Sequence, residues 1–176
     1  MRVQEAMSRD VKACRPEDDL NRAAQIMWEN DVGFVPVVSE TGTVLGVLTD
    51  RDVCMAAYTR GQPLWAVHAG DTMSREIEFC ASGSDLQVAL SLMRETRVRR
   101  LPIVDADGKL VGVLSLNDLA RTADRLCRDG DRELACEVAQ TLAAIGEPRF
   151  RSPRPDEGLA EPPRRVAGRR AGVATR

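Results

Sequence analysis

The sequence predicts an α+β fold made of two β-α-β-β-α units around a pseudo-twofold axis, followed by a C-terminal helix and a disordered tail. The first observation behind this prediction is an internal repeat. A shift of about 66 residues aligns 7–54 with 73–120 without a gap, and about 17 of about 48 pairs are identical. The second is that extended and helical patterns alternate in the same order in both copies. The predicted parts of the chain are 1–62 and 63–126 for the repeats, 127–146 for the helix and 147–176 for the tail.

Each repeat is predicted to begin with a short extended segment, 11–14 in the first copy and 77–80 in the second. The next few residues, 16–19 and 82–85, are rich in acidic and small polar side chains, which is typical of a helix start. Apolar residues then recur at helical spacing. They are Leu20, Ala23, Ala24 and Met27 in the first copy, and Leu86, Ala89, Leu90 and Met93 in the second.

A β-hairpin and a second helix complete each repeat. Two β-branched runs are separated by a turn whose glycine supplies a positive φ. The runs are 34–38 and 44–48 in the first copy, and 101–104 and 110–114 in the second, with the turn glycines Gly42 and Gly108. The second helix is predicted to begin at Thr49 and at Ser115.

After the second repeat, residues 131–145 predict an amphipathic helix. Leu134, Val138, Leu142 and Ile145 share one face, and Gly146 can end the helix. From residue 147 onward the chain holds five of its nine prolines and many charges. Such a segment lacks the apolar surface needed to fold, so it is predicted to be disordered.

Composition narrows the class of protein. The 176 residues are 43% hydrophobic, as in a globular domain, and no apolar run approaches the roughly 18 residues of a membrane span. The N-terminus lacks the apolar stretch of a signal peptide. Five cysteines without a CxxC spacing indicate reduced thiols. The lack of an apolar span, the lack of a signal peptide and the reduced thiols together predict a cytoplasmic protein without a membrane anchor. A net charge of −2 argues against nucleic-acid binding.

The central motif is Gly46-x-x-Thr49-x-x-Asp52, repeated as Gly112-x-x-Ser115-x-x-Asp118. One interpretation is structural: a hydroxyl followed three residues later by an acid caps a helix. The other is functional, because a helix N-terminus after a strand attracts anions and a carboxylate there can accept the hydroxyls of a ribose. Both interpretations remain open at the level of the sequence.

The repeat resembles a cystathionine β-synthase (CBS) domain, and the pair resembles a tandem CBS, or Bateman, module over residues 1–126. The matching residues are Met7-Ser8, Pro36-Val37-Val38, Gly42 and 46–52 in the first copy, and Met73-Ser74, 99–105, Gly108 and 112–118 in the second. The resemblance implies a homodimeric regulatory module with no enzymatic activity. It implies an adenine nucleotide ligand (AMP, ADP or ATP, with S-adenosylmethionine as a further candidate) and no obligatory cofactor. It also implies an unidentified regulated protein partner.

Carried onto this sequence, the resemblance assigns groups of residues to the ribose, the base and the phosphates of such a ligand. The expected ligand-binding residues are Thr49, Asp52, Ser115 and Asp118 for the ribose, Val11, Val35, Ile77 and Leu101 for the base, and Arg51, Arg99 and Arg100 for phosphate, with their neighbours Phe34, Pro36, Asp50, Pro102 and Asn117. The two clefts are expected to differ, because Phe34 occupies the position equivalent to Arg100. The alternative is a ligand-free dimerisation or scaffold module in which Thr49 and Ser115 only cap helices.

Two further pairs of positions carry weaker expectations. Cys14 and Cys80 are equivalent and are expected to be small buried residues, unless the axis brings them within reach of a disulfide. Trp28 and Trp65 could stack on a base, but Trp28 has Arg94 as its repeat mate, which indicates a surface or dimer contact.

Overall fold

The computed structural model of the chain describes residues 1–147. The predicted α+β class and the two repeats are confirmed. The helices and strands, in chain order, are α1 Val3–Ala6, α2 Leu20–Glu29, β1 Phe34–Val38, β2 Val44–Thr49, α3 Asp50–Arg60, β3 Cys80–Ala81, α4 Leu86–Thr96, β4 Arg100–Val104, β5 Leu110–Ser115, α5 Leu116–Asp129 and α6 Arg132–Gly146. Two short 3₁₀ turns, Leu64–Ala66 and Ala69–Asp71, connect the repeats.

The hairpins of the two repeats have the same register. Phe34 pairs with Thr49 in the antiparallel β1–β2 pair, and Arg100 pairs with Ser115 in β4–β5. The register shifts at the equivalent point of both hairpins, next to Val38 and Val104. This shared register places Thr49 and Ser115 at the same position, where each β-strand ends and a helix begins.

The predicted first strand of each repeat is shorter than expected. In the first copy Cys14 forms an isolated parallel bridge with Val37, and in the second copy Cys80–Ala81 pairs with β4. The prediction of strands over 11–14 and 77–80 was therefore too long. In the first copy the reason is that Val11 and Lys12 line a cleft between the repeats instead of joining the sheet.

Each repeat completes the core of the other with its N-terminal segment. Ser8 pairs with Val113 of the second copy, and the equivalent Ser74 pairs with Val47 of the first. The chain therefore exchanges segments across the pseudo-twofold axis. The second core accordingly contains Val3 and Met7, whereas the first contains Val67, Ala69 and Met73. The packing units therefore interleave, and the boundaries 1–62 and 63–126 remain a prediction about the repeats of the sequence.

The glycines of the central motif are required by this exchange. A Cβ atom on Gly112 would lie 2.5 Å from Met7 Sδ and 2.9 Å from the carbonyl oxygen of Ser8. A Cβ atom on Gly46 would lie 2.7 Å from both Met73 Sδ and the carbonyl oxygen of Ser74. Separations this short fall well below van der Waals contact, so the strand admits the other repeat's segment only where it lacks a side chain.

The predicted C-terminal helix is confirmed as α6, which packs against α4 and α5 of the second repeat. Val138 and Ile145 are buried in the second core, and Leu134 and Leu142 are partly buried against it. The apolar face of α6 is thus used within the same chain. The predicted disordered tail lies outside the described residues from residue 148 onward. Within residues 1–147 no helix has the length and apolar character needed to cross a membrane.

Candidate ligand-binding cleft

A cleft between the two repeats opens beside the start of α5. It is formed from the segment before the first core, the end of α2, the two hairpins and the first turn of α5. Its lining residues are Ser8, Asp10, Val11, Lys12, Asn30, Asp31, Val32 and Phe34 of the first copy, and Arg100, Val113, Ser115, Asn117 and Asp118 of the second.

Asp118 reaches the wall of this cleft through a capping box at the start of α5. The Ser115 hydroxyl accepts a hydrogen bond from the Asp118 backbone N–H at 3.2 Å. In return, Asp118 Oδ2 accepts hydrogen bonds from the Ser115 backbone N–H at 2.8 Å and from its hydroxyl at 2.5 Å. The structural interpretation of the motif is therefore correct for this copy. The same geometry fixes the carboxylate where a β-strand ends and a helix begins.

The second oxygen of Asp118 is also fully engaged. Asp118 Oδ1 accepts a hydrogen bond from the Ser8 hydroxyl at 2.8 Å and lies 2.5 Å from an Arg121 guanidinium nitrogen. Asp118 is only 4% exposed, whereas the Arg121 side chain is 69% exposed. A buried charge is costly unless it is paired and hydrogen-bonded, and these donors meet that requirement.

Asp52 forms the same capping box as Asp118, but the hydrogen bonding of its second carboxylate oxygen differs. Asp52 Oδ2 accepts hydrogen bonds from the Thr49 backbone N–H at 2.8 Å and from its hydroxyl at 2.7 Å. Within residues 1–147 no hydrogen bond to Asp52 Oδ1 is formed, and Met55 occupies the position equivalent to Arg121. Asp52 is half-buried, so this oxygen keeps acceptor capacity that Asp118 Oδ1 has used.

Phe34 and Arg100, which are equivalent positions of the two repeats, meet at the pseudo-twofold axis. The guanidinium carbon of Arg100 lies 6.0 Å from the centroid of the Phe34 ring. This distance is within the range of a cation–π contact. The expected difference between Phe34 and Arg100 therefore produces a contact between the repeats, and it keeps a cation at the cleft.

Some of the expected ligand-binding residues line this cleft, and the others do not. Those that line the described cleft are Val11, Phe34, Arg100, Ser115, Asn117 and Asp118. Those that do not are Val35, Pro36, Thr49, Asp50, Arg51, Asp52, Ile77, Arg99, Leu101 and Pro102.

For three of the residues that do not line the cleft, the physical cause is clear. The side chains of Val35 and Leu101 are completely buried in the two cores, because alternate residues of β1 and β4 point inward, and so they do not face the cleft. Asp50 points the other way: its carboxylate lies against Gly33, on the side of Trp28. Leu116, the repeat mate of Asp50, packs partly buried against the second core.

Sequence reasoning missed several residues of the cleft. Asp10 and Lys12 form an ion pair 2.7 Å long at its edge. Asp31 lines it with a φ of 52°, and its repeat mate Arg97 has a φ of 54°. A positive φ is uncommon outside glycine, and the sequence did not signal these two left-handed residues, of which Arg97 directly follows α4 and Asp31 lies two residues after the end of α2. Ser8 could have been found, because Met-Ser begins both copies.

The described residues give no sign of a metal centre. Within residues 1–147 no group of three or more His, Cys, Asp or Glu side chains is placed to hold a metal ion.

Cys14 and Cys80 are free thiols, each buried in a different core. They therefore behave as the small buried residues that the sequence predicts.

Known proteins resemble this chain over the two repeats. A CBS domain-containing protein, YhcV, of Bacillus subtilis is 36% identical over 118 residues, which are 67% of this chain and 82% of the relative. Hypoxic response protein 1 of Mycobacterium tuberculosis is 30% identical over 119 residues, 68% of this chain and 82% of the relative. The crystal structure of CBSX2 from Arabidopsis thaliana in complex with AMP has a TM-score of 0.63 and 29% identity. The match covers 71% of this chain and 97% of that one.

The family model of the CBS domain matches twice, at residues 3–58 and 69–124. These two matches cover more than half of the chain and coincide with the two copies of the repeat. The chain therefore belongs to the CBS domain family and carries two CBS domains in tandem.

Proposed function

We propose that this protein is a cytoplasmic regulatory module that binds an adenine nucleotide between its two CBS domains and transmits the bound state to a protein partner. The observation that carries the proposal is the position of Asp118, a carboxylate held at the first turn of α5 on the wall of the cleft. The resemblance to CBSX2, which was crystallised with AMP, supports the same ligand class. No catalytic role is proposed.

The cleft offers matching chemistry for each part of an adenine nucleotide. Val11 and Val32 supply an apolar wall for the base, and the carboxylate of Asp118 can accept the ribose hydroxyls where they replace Arg121 at its Oδ1. The phosphate would lie near Arg100 and the N-terminus of α5, where free backbone N–H groups and the helix dipole favour an anion. At the equivalent site of the first copy, Asp52 would hold the ribose and Arg51 would lie beside the phosphate.

The test separates ribose binding from helix capping. Hydrogen bonds to a charged acceptor contribute about 1.5–3 kcal/mol, so Asp52→Ala or Asp118→Ala should weaken AMP, ADP or ATP binding roughly 10- to 150-fold at the affected site. The loss of a helix cap alone costs about 0.5–2 kcal/mol of folding stability. Isothermal titration and melting curves of both variants measure the two effects. Unchanged nucleotide affinity in the double variant would refute the role of these aspartates.

A ligand-free dimerisation or scaffold module is the second candidate function. The observation that favours it is that both oxygens of Asp118 already have partners within the chain. A thermal shift panel of AMP, ADP, ATP and S-adenosylmethionine distinguishes the two. A ligand at about 100 times its dissociation constant should stabilise a binding protein by about 2.7 kcal/mol. No shift with any of these ligands favours the scaffold.

We also propose that the protein is a homodimer that pairs through the helices of the first repeat. Trp28 on α2 and Tyr58 on α3 are 89% and 81% exposed, and their repeat mates are the charged Arg94 and Asp124. The second repeat has α6 packed on its helices, whereas within residues 1–147 no equivalent helix covers α2 and α3. Exposed aromatic side chains of this size are typical of an interface.

The assembly is tested by exchanging these side chains for those of the second repeat. The double variant Trp28→Arg, Tyr58→Asp should be monomeric in light scattering at a concentration where the parent is dimeric. Val88→Arg is the matched control, because Val88 is 54% exposed on α4 and its repeat mate is Arg22. The proposal is wrong if the double variant remains dimeric or if the parent is itself a monomer.

A further inference from the structure

The two carboxylates of the central motif differ in how much of their acceptor capacity is free. A carboxylate oxygen can accept about two hydrogen bonds. In each copy Oδ2 is used by the capping box, so Oδ1 is the oxygen left for a ligand. Asp118 Oδ1 is already occupied by Ser8 and Arg121, whereas Asp52 Oδ1 accepts no hydrogen bond from the described residues. The two carboxylates occupy equivalent positions of the same chain, yet they differ in the hydrogen bonds that Oδ1 accepts.

Comparing equivalent positions of the two repeats shows which residues cause this difference in hydrogen bonding. Ser74 is identical to Ser8, yet no hydrogen bond joins it to Asp52 within residues 1–147. Arg121 has Met55 as its mate, and methionine cannot donate a hydrogen bond to a carboxylate. Arg121 is therefore the one partner of Asp118 whose chemical type the first copy does not reproduce.

We infer that Arg121 is a specificity-determining residue that competes with the ribose for Asp118, so that a nucleotide occupies the Asp52 site first. This inference rests on the proposed function. A ribose diol approaching Asp118 must displace the guanidinium from Oδ1, whereas a diol approaching Asp52 meets an oxygen that accepts no hydrogen bond from residues 1–147. Because the Arg121 side chain is 69% exposed, water can solvate the guanidinium once it is displaced, and the competition lowers affinity without abolishing it.

The experiment uses AMP as the probe and isolates each site by removing the other. Asp52→Ala leaves the Asp118 site, and in that background Arg121→Met gives α5 the residue found at the equivalent position of α3. We expect AMP to bind the Asp52→Ala, Arg121→Met protein roughly two- to fivefold more tightly than Asp52→Ala alone, the range of an ion pair with an exposed partner. In the otherwise unchanged protein, Asp52→Ala should remove the tighter site and Asp118→Ala the weaker one.

Two further measurements separate competition from a general effect of charge. Arg125→Met in the same Asp52→Ala background removes an arginine one turn further along α5, and it should leave AMP affinity unchanged because no contact joins Arg125 to Asp118. The increase in AMP affinity caused by Arg121→Met should be smaller in high salt, because added ions weaken the ion pair that the substitution removes. Far-UV circular dichroism of each variant confirms that the fold is retained.

The possible failures are distinguishable. If the parent binds AMP but Arg121→Met leaves the Asp118 site unchanged or weakens it, Arg121 does not compete with the ribose and the inference is wrong. The same holds if Asp52→Ala and Asp118→Ala lose affinity equally. If the parent binds no AMP, ADP, ATP or S-adenosylmethionine, the proposed function itself fails and the inference falls with it.

Discussion

Replacement of the motif glycines by alanine tests the segment exchange between the repeats. In Gly112→Ala the new Cβ would lie 2.5 Å from Met7 Sδ and 2.9 Å from the Ser8 carbonyl oxygen. The methionine side chain can rotate away, but the carbonyl is held by a 3.0 Å hydrogen bond from the Val113 backbone N–H. The backbone must therefore shift, and the bridge between the repeats must lengthen or break.

The expected cost follows from these contacts. Overpacking costs about 1–3 kcal/mol, and a weakened backbone hydrogen bond costs about 1 kcal/mol more. Alanine offsets about 0.4–1 kcal/mol by restricting the unfolded chain. The net destabilisation should be about 1–3 kcal/mol for Gly112→Ala. A similar value is expected for Gly46→Ala, whose Cβ would lie 2.7 Å from the Ser74 carbonyl oxygen.

Urea denaturation of the variants measures this cost, and thermal melting should show a decrease of roughly 2–4 °C for each kcal/mol. Gly83→Ala is the matched control, because within residues 1–147 no atom beyond its two chain neighbours lies within 4 Å of a Cβ built there. The control should stay within about 0.5 kcal/mol of the parent, as surface substitutions usually do. If Gly112→Ala and Gly46→Ala unfold at the same urea concentration as Gly83→Ala, the close approach is not a constraint on this fold.

Three other predictions concern stability. Burial, with a smaller contribution from nearby Asp18, raises the pKa of the Cys14 thiol from 9.0 to about 11. The unfolded thiol therefore ionises first. Stability should be unaffected below pH 9 and fall by up to about 3 kcal/mol toward pH 11, a slope that Cys14→Ser should remove in urea titrations at several pH values. Asp19→Ala should lower folding stability by about 0.5–2 kcal/mol, because Asp19 caps α2. Asp85→Ala should lower it less, because within residues 1–147 the Asp85 side chain makes no capping hydrogen bond. Equal melting temperatures of the two variants would contradict this. Val138→Ala should cost about 1.5–3 kcal/mol, because Val138 is completely buried where α6 packs on the second repeat, and an unchanged urea midpoint would show that α6 does not stabilise the core.

Much of the fold could be predicted because the signals are local. Helix α3 begins after Thr49 and α5 after Ser115, each with a capping box that four consecutive residues specify. The apolar stripe of α6 indicated its buried face, and the turn glycines Gly42 and Gly108 have positive φ as expected. These features depend on backbone preferences and on periodicity over a few residues, both of which can be read from the sequence.

The cleft was predicted less completely. Ser115 and Asp118, which line the cleft, followed from the motif, because the motif also forms a helix cap. Its far wall, which includes Asp31 and Lys12, did not. These residues reach the cleft through a left-handed helix end and through a segment that leaves the sheet early, and both depend on how the repeats pack.

The sequence by itself determined that the protein contains two similar α+β units, where their two main helices and their hairpins lie, and that a C-terminal helix follows them. Only the tertiary structure decided that each unit borrows its N-terminal segment from the other, and that α6 covers the second repeat rather than the first. It alone also decided that Asp118 is paired with Ser8 and Arg121, whereas Asp52 Oδ1 accepts no hydrogen bond from residues 1–147. The physical reason is the distance along the sequence over which each kind of interaction acts. Capping and periodicity act between residues a few positions apart, whereas the contact between Ser8 and Asp118 joins residues 110 positions apart and depends on the packing of the whole molecule.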